Sequence, residues 1–179
     1  MLSVRELQAS DIPLIADYWV NSPDQHLVRM GVDLAKVPPR EAFVEALEHQ
    51  LSMPIENRNA YCIIWELEGE PIGHCNTNPT QFGKEANMHL HIWSNENRRK
   101  NIGTEFLKMT IPLFFKNLKL NQLFCEPYAL NEAPNRTLNK LGFTLIKEYT
   151  TVPGSINFEQ PVKQWVMDKP QSPTNTNAT

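Results

Sequence analysis

Apolar residues along the chain switch between a period of about two and a period near 3.6, so strands and helices should interleave. Residues 3–8 alternate weakly, with Val4 and Leu7 among Arg5, Glu6 and Gln8, as an edge strand does. Ser10 or Asp11 can cap a helix with Pro13 in its first turn and Ile12, Ile15, Ala16 and Trp19 on one face. Asn21-Ser22-Pro23-Asp24 ends it, and the pattern is irregular around Gly31 and Pro38-Pro39. A second helix is predicted from Arg40 to about Met53, with Phe43, Ala46, Leu47 and Leu51 on its apolar face. Residues 61–68 and 71–76 read as a hairpin turning at Glu68-Gly69-Glu70, followed by a polar loop over 77–85 and a long strand over 87–94. A helix over 102–118 buries Ile102, Phe106, Ile111, Phe114 and Phe115, with a kink expected at Pro112. Then come a strand at 123–128, a helix at 134–141 stopped by a left-handed Gly142, and strands at 143–150 and 163–167. This order predicts a mixed α/β fold with helices crossing between strands. No internal repeat is visible.

A length of 179 residues with 41% hydrophobic content fits one domain, expected over 1–168, with a Pro/Ser/Thr/Asn-rich disordered tail at 169–179. The formal net charge of −3 supplies no global field for nucleic acid or an acidic membrane, so neither is expected as a partner. Cys62, Cys75 and Cys125 follow neither a metal-ligand spacing nor a disulfide pattern and read as buried reduced thiols. The first residues lead straight into a charged strand rather than a signal peptide, and no apolar run reaches membrane-spanning length. A cytoplasmic protein, monomeric or homodimeric, is the expectation.

Chemistry concentrates at residues 95–107, where the apolar strand Met88, Leu90, Ile92, Trp93 gives way to a helix. Arg98, Arg99, Lys100, Asn101 and Gly103 fall at this strand–helix turn. Backbone N–H groups at a helix start attract anions, the macrodipole adds to that attraction, and three adjacent cations extend it. Gly103 allows close approach to the backbone, and Asn101 tolerates a left-handed turn. The arrangement reads as a pyrophosphate cradle, although neither the lysine-containing P-loop nor the dinucleotide glycine fingerprint is present.

Arg98-Arg99-Lys100-Asn101-Ile102-Gly103-Thr104 resembles the Arg/Gln-x-x-Gly-x-Gly/Ala loop of the GCN5-related N-acetyltransferases. Residues 131–143, from Asn131-Glu132-Ala133-Pro134-Asn135 to Lys140-Leu141-Gly142-Phe143, are similar to that family's second conserved segment. The blocks occur in the family's order and at about its spacing, and weaker likeness runs from Ser3 to Met167. Thr104-Glu105 and Leu138 lean towards the ribosomal-protein N-terminal acetyltransferase-like branch. Asn101 stands where the family usually has a glycine, Pro134 where it often has serine, and Leu138 where many members carry a tyrosine acid.

The resemblance implies a twisted mixed sheet of about six to seven strands flanked by about four helices, with two splayed central strands, here 87–94 and 123–128. It implies acetyl-CoA as co-substrate, an amine acceptor and no metal. Cofactor contacts would come from the main chain near Ile92 and Trp93, from residues 98–104, and from Asn131 and Asn135. The activity implied is acetyl transfer to a primary amine by direct attack; transfer of a longer acyl group and a non-catalytic acyl-CoA sensor are the alternatives. His89 and His91 share one strand face upstream of the expected acetyl position, and histidine can accept a proton near neutrality. Glu126 is a second candidate base or amine anchor, and Tyr128 a candidate acid in place of residue 138. Residues 20–59 should shape the acceptor pocket, with Trp19 and His26 beside it. A protein N-terminus, a polyamine, an aminoglycoside or a siderophore-type amine all fit as acceptor.

Overall fold

A computed structural model describes residues 1–94, 96 and 102–170. The basic turn Arg98, Arg99, Lys100 and Asn101 lies outside the described residues, as does the tail beyond Pro170.

Seven strands form one mixed sheet: β1 (Leu2–Glu6), β2 (Tyr61–Leu67), β3 (Glu70–Gln81), β4 (Glu85–Ile92), β5 (Gln122–Cys125), β6 (Thr144–Thr151) and β7 (Gln160–Asp168). Their spatial order is β1-β2-β3-β4-β5-β7-β6, antiparallel throughout except for the parallel β4–β5 pair. Five helices accompany them: α1 (Ile12–Asn21), α2 (Asp24–Arg29), α3 (Arg40–Ser52), α4 (Ile102–Asn117) and α5 (Glu132–Lys140). The parallel pair requires a crossover, and α4 supplies it.

The strand period of two sorts side chains onto two faces. On one face Tyr61, Ile63, Trp65, Cys75 and Met88 join Phe106, Leu107, Phe114, Leu123 and Leu138 in the main core. Trp65 stacks on Phe106 with centroids 4.9 Å apart and donates to the Thr110 hydroxyl at 2.9 Å, which satisfies its indole N–H inside that core. On the other face Ile15, Cys62 and Ile64 form a smaller cluster with Trp19, Leu47 and Trp93. This second face carries the candidate chemistry.

Three expectations are corrected. The segment expected as a loop over 77–85 is mostly strand: β3 runs to Gln81, and its register shifts between Thr77 and Thr80 so that Asn78 and Pro79 together oppose Asn87. Proline lacks an N–H and is accepted at such a bulge, which is why a polar, proline-containing run is still strand. The strand expected to reach residue 128 ends at Cys125, with Tyr128 making only an isolated bridge to Val162. A fifth helix, α2, follows the Asn21–Asp24 break. Pro112 sits inside α4, which continues through it to Asn117. Gly142 has φ 86, the left-handed stop expected of it.

Among the described residues no helix is long and apolar enough to cross a membrane, and no group of histidine, cysteine or acidic side chains is placed to hold a metal ion. Cys62, Cys75 and Cys125 are buried and unbridged.

Candidate active site

The central strands part early. Pairing between β4 and β5 covers only Glu85–Gln122, Ala86–Leu123 and Asn87–Phe124, while β4 runs on to Ile92. Trp93 N–H donates to the Ile72 carbonyl at 2.9 Å, so Gly73–Ile92 and, two residues back, Cys75–Leu90 are the non-hydrogen-bonded pairs of the β3–β4 ladder. The main chain of Leu90 and Ile92 therefore points away from β3, towards the wedge beside β5. Of the two residues expected to offer main-chain contacts there, Ile92 faces the wedge, whereas the Trp93 N–H is spent on β3.

At the wedge's edge stands the start of α4, with Ile102, Gly103 and Thr104 in its first turn. Gly103 has no left-handed backbone to explain it. A Cβ built on it would meet only the Ile92 Cδ1 atom, at 3.5 Å, an ordinary contact. Within the described residues, then, the protein itself leaves room for a side chain at 103. A glycine placed there, on a helix N-terminus, fits a ligand phosphate drawn against the backbone.

Past the wedge, Asn131 begins α5 without capping it: its side chain bonds no helix N–H. Asn135 is buried and fully engaged. Its amide donates to the Tyr128 and Asn131 carbonyls at 3.2 and 2.8 Å, and its oxygen accepts from Trp165 Nε1 at 2.8 Å. The structure thus uses Asn135 to hold the segment 128–131 rather than presenting its amide to the wedge. Asn135→Ala is expected to lower unfolding free energy by about 2 kcal/mol in a denaturant titration, because the Trp165 N–H is left buried without a partner. Leu138, where many relatives of the resembled family have tyrosine, is fully buried in the main core.

The two candidate histidines occupy one face of β4, as their alternation requires, but in different surroundings. His89 Nε2 lies 2.8 Å from the Asn78 carbonyl. A carbonyl only accepts, so Nε2 carries the proton and Nδ1 holds the lone pair. The bulge makes this possible, since it takes the Asn78 carbonyl out of the regular ladder. Burial lowers the His89 pKa below the ordinary histidine value, opposed by the Asn78 carbonyl and the Glu126 carboxylate.

His91 instead joins an aromatic cluster. Its ring stacks on His74 at 4.7 Å, meets Trp19 edge-on at 4.9 Å, and places Nδ1 3.3 Å from the Tyr18 hydroxyl. The same hydroxyl lies 3.1 Å from His26 Nε2. His74 Nδ1 accepts from Trp93 Nε1 at 2.8 Å, and burial, with His89 nearby, pushes its pKa down to about 3. It is a neutral packing residue at physiological pH. Trp19 and His26, expected beside the acceptor pocket, lie in this cluster. The presence of His74 and Tyr18 there could not be read from the sequence, because it depends on the β3–β4 register and the docking of α1.

Glu126 accepts at one oxygen from the Tyr149 hydroxyl, at 2.9 Å, and from the Gln164 amide. Burial and this bond push the Tyr149 pKa up to about 12, so the phenol remains a donor. Tyr128 packs edge-on against Phe158 at 5.9 Å, and its carbonyl is the one tied by Asn135. The face thus brings His89, Glu126 and Asn87 together beside the wedge, with His91 grouped separately under α1.

A family model described as an acetyltransferase (GNAT) domain matches residues 2–144. No curated protein matches the chain. Solved structures that resemble it include the ribosomal L7/L12 alpha-N-protein acetyltransferase RimL in complex with coenzyme A (TM-score 0.75, 14% identity, 93% of each chain covered). Another is the ribosomal-protein-S5-alanine acetyltransferase from Vibrio fischeri (TM-score 0.75, 20% identity, 93% of this chain and 92% of that one). A third is yncA from Salmonella typhimurium with acetyl-CoA (TM-score 0.72, 11% identity, 99% of each). At such identities the likeness is one of fold, and it covers the whole sheet.

Proposed function

The chain belongs to the acetyltransferase (GNAT) family, and on that premise we propose that it transfers an acetyl group from acetyl-CoA to a primary amine by direct attack in a ternary complex. The observation that carries this reading is the wedge between β4 and β5 with His89 on its flank, its lone pair fixed on Nδ1 by the Asn78 carbonyl.

Acetyl-CoA supplies the activated thioester; the remaining work belongs to the chain. The first turn of α4 at Ile102, Gly103 and Thr104, with the basic run Arg98, Arg99, Lys100 and Asn101, holds the phosphates. The main chain of Ile92 orients the pantetheine arm and polarises the thioester carbonyl. Asn131 adds a side-chain amide at the far wall, and Asn135 keeps that wall in place. His89 takes the proton of the attacking amine at Nδ1. The C–S bond breaks as the amide forms, and with Leu138 buried, Tyr128 is the side chain assigned to donate its hydroxyl proton to the departing thiolate and to be reprotonated from solvent.

Asn131→Ala is expected to reduce coenzyme A affinity, turnover or both by roughly tenfold, the worth of one hydrogen bond. Thermal stability should stay at wild type, because the side chain caps nothing. Calorimetry, steady-state rates and a melting curve check this together. The defining experiment for the activity is a mass-spectrometric screen of amines and peptide N-termini with purified protein and acetyl-CoA. An absence of acetylated product across the panel, with coenzyme A bound, would overturn it.

A further inference from the structure

The face that carries His89 continues over β4, β5 and β7 into a cleft of about 210 Å³, lined by Gln81, Glu85, Asn87, Phe124, Glu126 and Gln164 among others. Helices α1 and α3 cover the neighbouring part of this face, over β2, and stop short of the cleft. Its polar lining consists of carboxylates and carboxamides, and no cation is among the described lining residues. At the outer rim Lys84 lies 3.6 Å from Glu85 and donates to Gln81 at 3.3 Å, so Glu85 already has a partial, exposed counter-ion. The Lys147 ammonium, by contrast, is turned onto the Tyr149 ring, 4.2 Å from its centre, and Glu126 has no cation paired with it among the described residues.

Two of these groups are set up for a donor. Tyr149 and Gln164 both donate to Oε1 of Glu126, which fixes the carboxylate while Oε2 receives neither bond. The Asn87 amide oxygen is sealed from solvent and meets no donor. A buried acceptor without a partner is costly, and a small rotation towards a donor in the cleft would relieve it. An ammonium offers three donors and no acceptor, the complement of this lining. Glu85, Asn87 and His89 follow one another on the same side of β4 at about 7 Å per step. A molecule reaching from His89 into the cleft therefore places a second group beside Asn87 and Glu126, then beside Glu85.

We propose that the cleft seats a second positive charge of the acceptor, with Glu126 as its main counter-ion and Glu85 as the outer one, so that diamines are preferred over monoamines of equal length. The inference rests on the amine-acetyltransferase reading above. Tyr149 and Gln164 act here as positioning residues for Glu126. An acceptor bound through hydroxyl groups would lose only the extra strength of a charge-assisted hydrogen bond when a carboxylate here becomes an amide, whereas a cation loses its counter-ion.

The test compares putrescine with butylamine, and hexamethylenediamine with hexylamine, under acetyl-CoA, for wild type, Glu126→Gln and Glu85→Gln. Wild type is expected to favour the diamine in kcat/KM by about tenfold or more. Glu126→Gln should remove most of that preference through a raised diamine KM, and Glu85→Gln part of it, as charge-pair losses in partly buried sites do. Coenzyme A affinity should be unchanged in both, since α4 lies on the opposite face. Equal use of diamine and monoamine by the wild type overturns the proposal and leaves the amine reading intact. So does an equal loss for both amines in Glu126→Gln, which would make the carboxylate a base. If Glu126→Gln fails to fold, an undiminished preference in Glu85→Gln overturns the proposal. Coenzyme A binding without transfer to any of the four amines overturns the proposal; the reading it rests on falls only if the wider panel of amines and peptide N-termini also stays unacetylated.

Discussion

Replacing His89 by glutamine is expected to lower turnover by about 10²-fold or more, the usual contribution of a positioned general base. Glutamine keeps the approximate size and an N–H for the Asn78 carbonyl, now 2.8 Å from the imidazole, but has no lone pair that accepts a proton at neutral pH. The pH dependence supplies the sharper test. Because burial holds the His89 pKa below the ordinary histidine value, the wild-type rate should rise with pH through an apparent pKa below about 6.5. Below that value the imidazole is protonated and cannot act as base; above it, the neutral form is ready. This limb should vanish in His89→Gln, while a second limb from the acceptor amine's own ionisation persists. His91→Gln is the comparison: it disturbs the Tyr18 contact and the His74 stack, so it should change acceptor KM more than the low-pH limb. Wild-type turnover and an unaltered profile in His89→Gln would pass proton removal to Glu126 through water, or to solvent.

Gly103→Val should weaken coenzyme A binding by roughly 10- to 100-fold, the equivalent of one or two charge-assisted backbone–phosphate bonds. The variant is informative because the described residues leave room for a Cβ. Among them the added Cβ would touch only Ile92 Cδ1 at 3.5 Å, and residue 103 lies within α4 with no left-handed backbone. Folding should therefore be nearly unaffected, and a loss in calorimetry reports a steric block on the ligand's side. Removing the charges of Arg98 and Arg99 should weaken binding more gently, with the larger effect at low salt, since attraction between charges in water is screened within about 10 Å at 0.1 M. Unchanged affinity in Gly103→Val would remove the start of α4 from the cofactor site.

How far the site could be read in advance follows from the range of each interaction. The helix start at Ile102–Gly103–Thr104 is a local object: an apolar strand, a polar turn and an amphipathic run within about twenty residues announce it. The same holds for the shared face of His89 and His91, which follows from a period of two. Neither signal reveals that the histidines have different neighbours. His89 meets the Asn78 carbonyl only because β3 carries a bulge opposite Asn87, and His91 meets Tyr18 and Trp19 only because α1 docks above it. Asn135 illustrates the opposite case. Its position suggested a cofactor contact, yet Tyr128, Asn131 and Trp165 absorb its amide. Likewise the polar run 77–81 lacked a strand's alternation, and became strand because pairing with β4 resumes past the bulge at Thr80 and Gln81.

Residue order alone is enough to place the alternation of strands and helices, the helix α4 between β4 and β5, and the glycine at its start, because each is a matter of local period and backbone freedom. The order of strands in space, the length over which β4 and β5 pair before parting, and the grouping of Asn87, Glu126, Tyr149 and Gln164 were decided only on folding. Three of those residues lie on β4, β6 and β7 and Glu126 just past the end of β5, as far as 77 positions apart in the chain (164 minus 87), and what unites them is the register of the sheet, a property of the whole assembly of strands rather than of any segment.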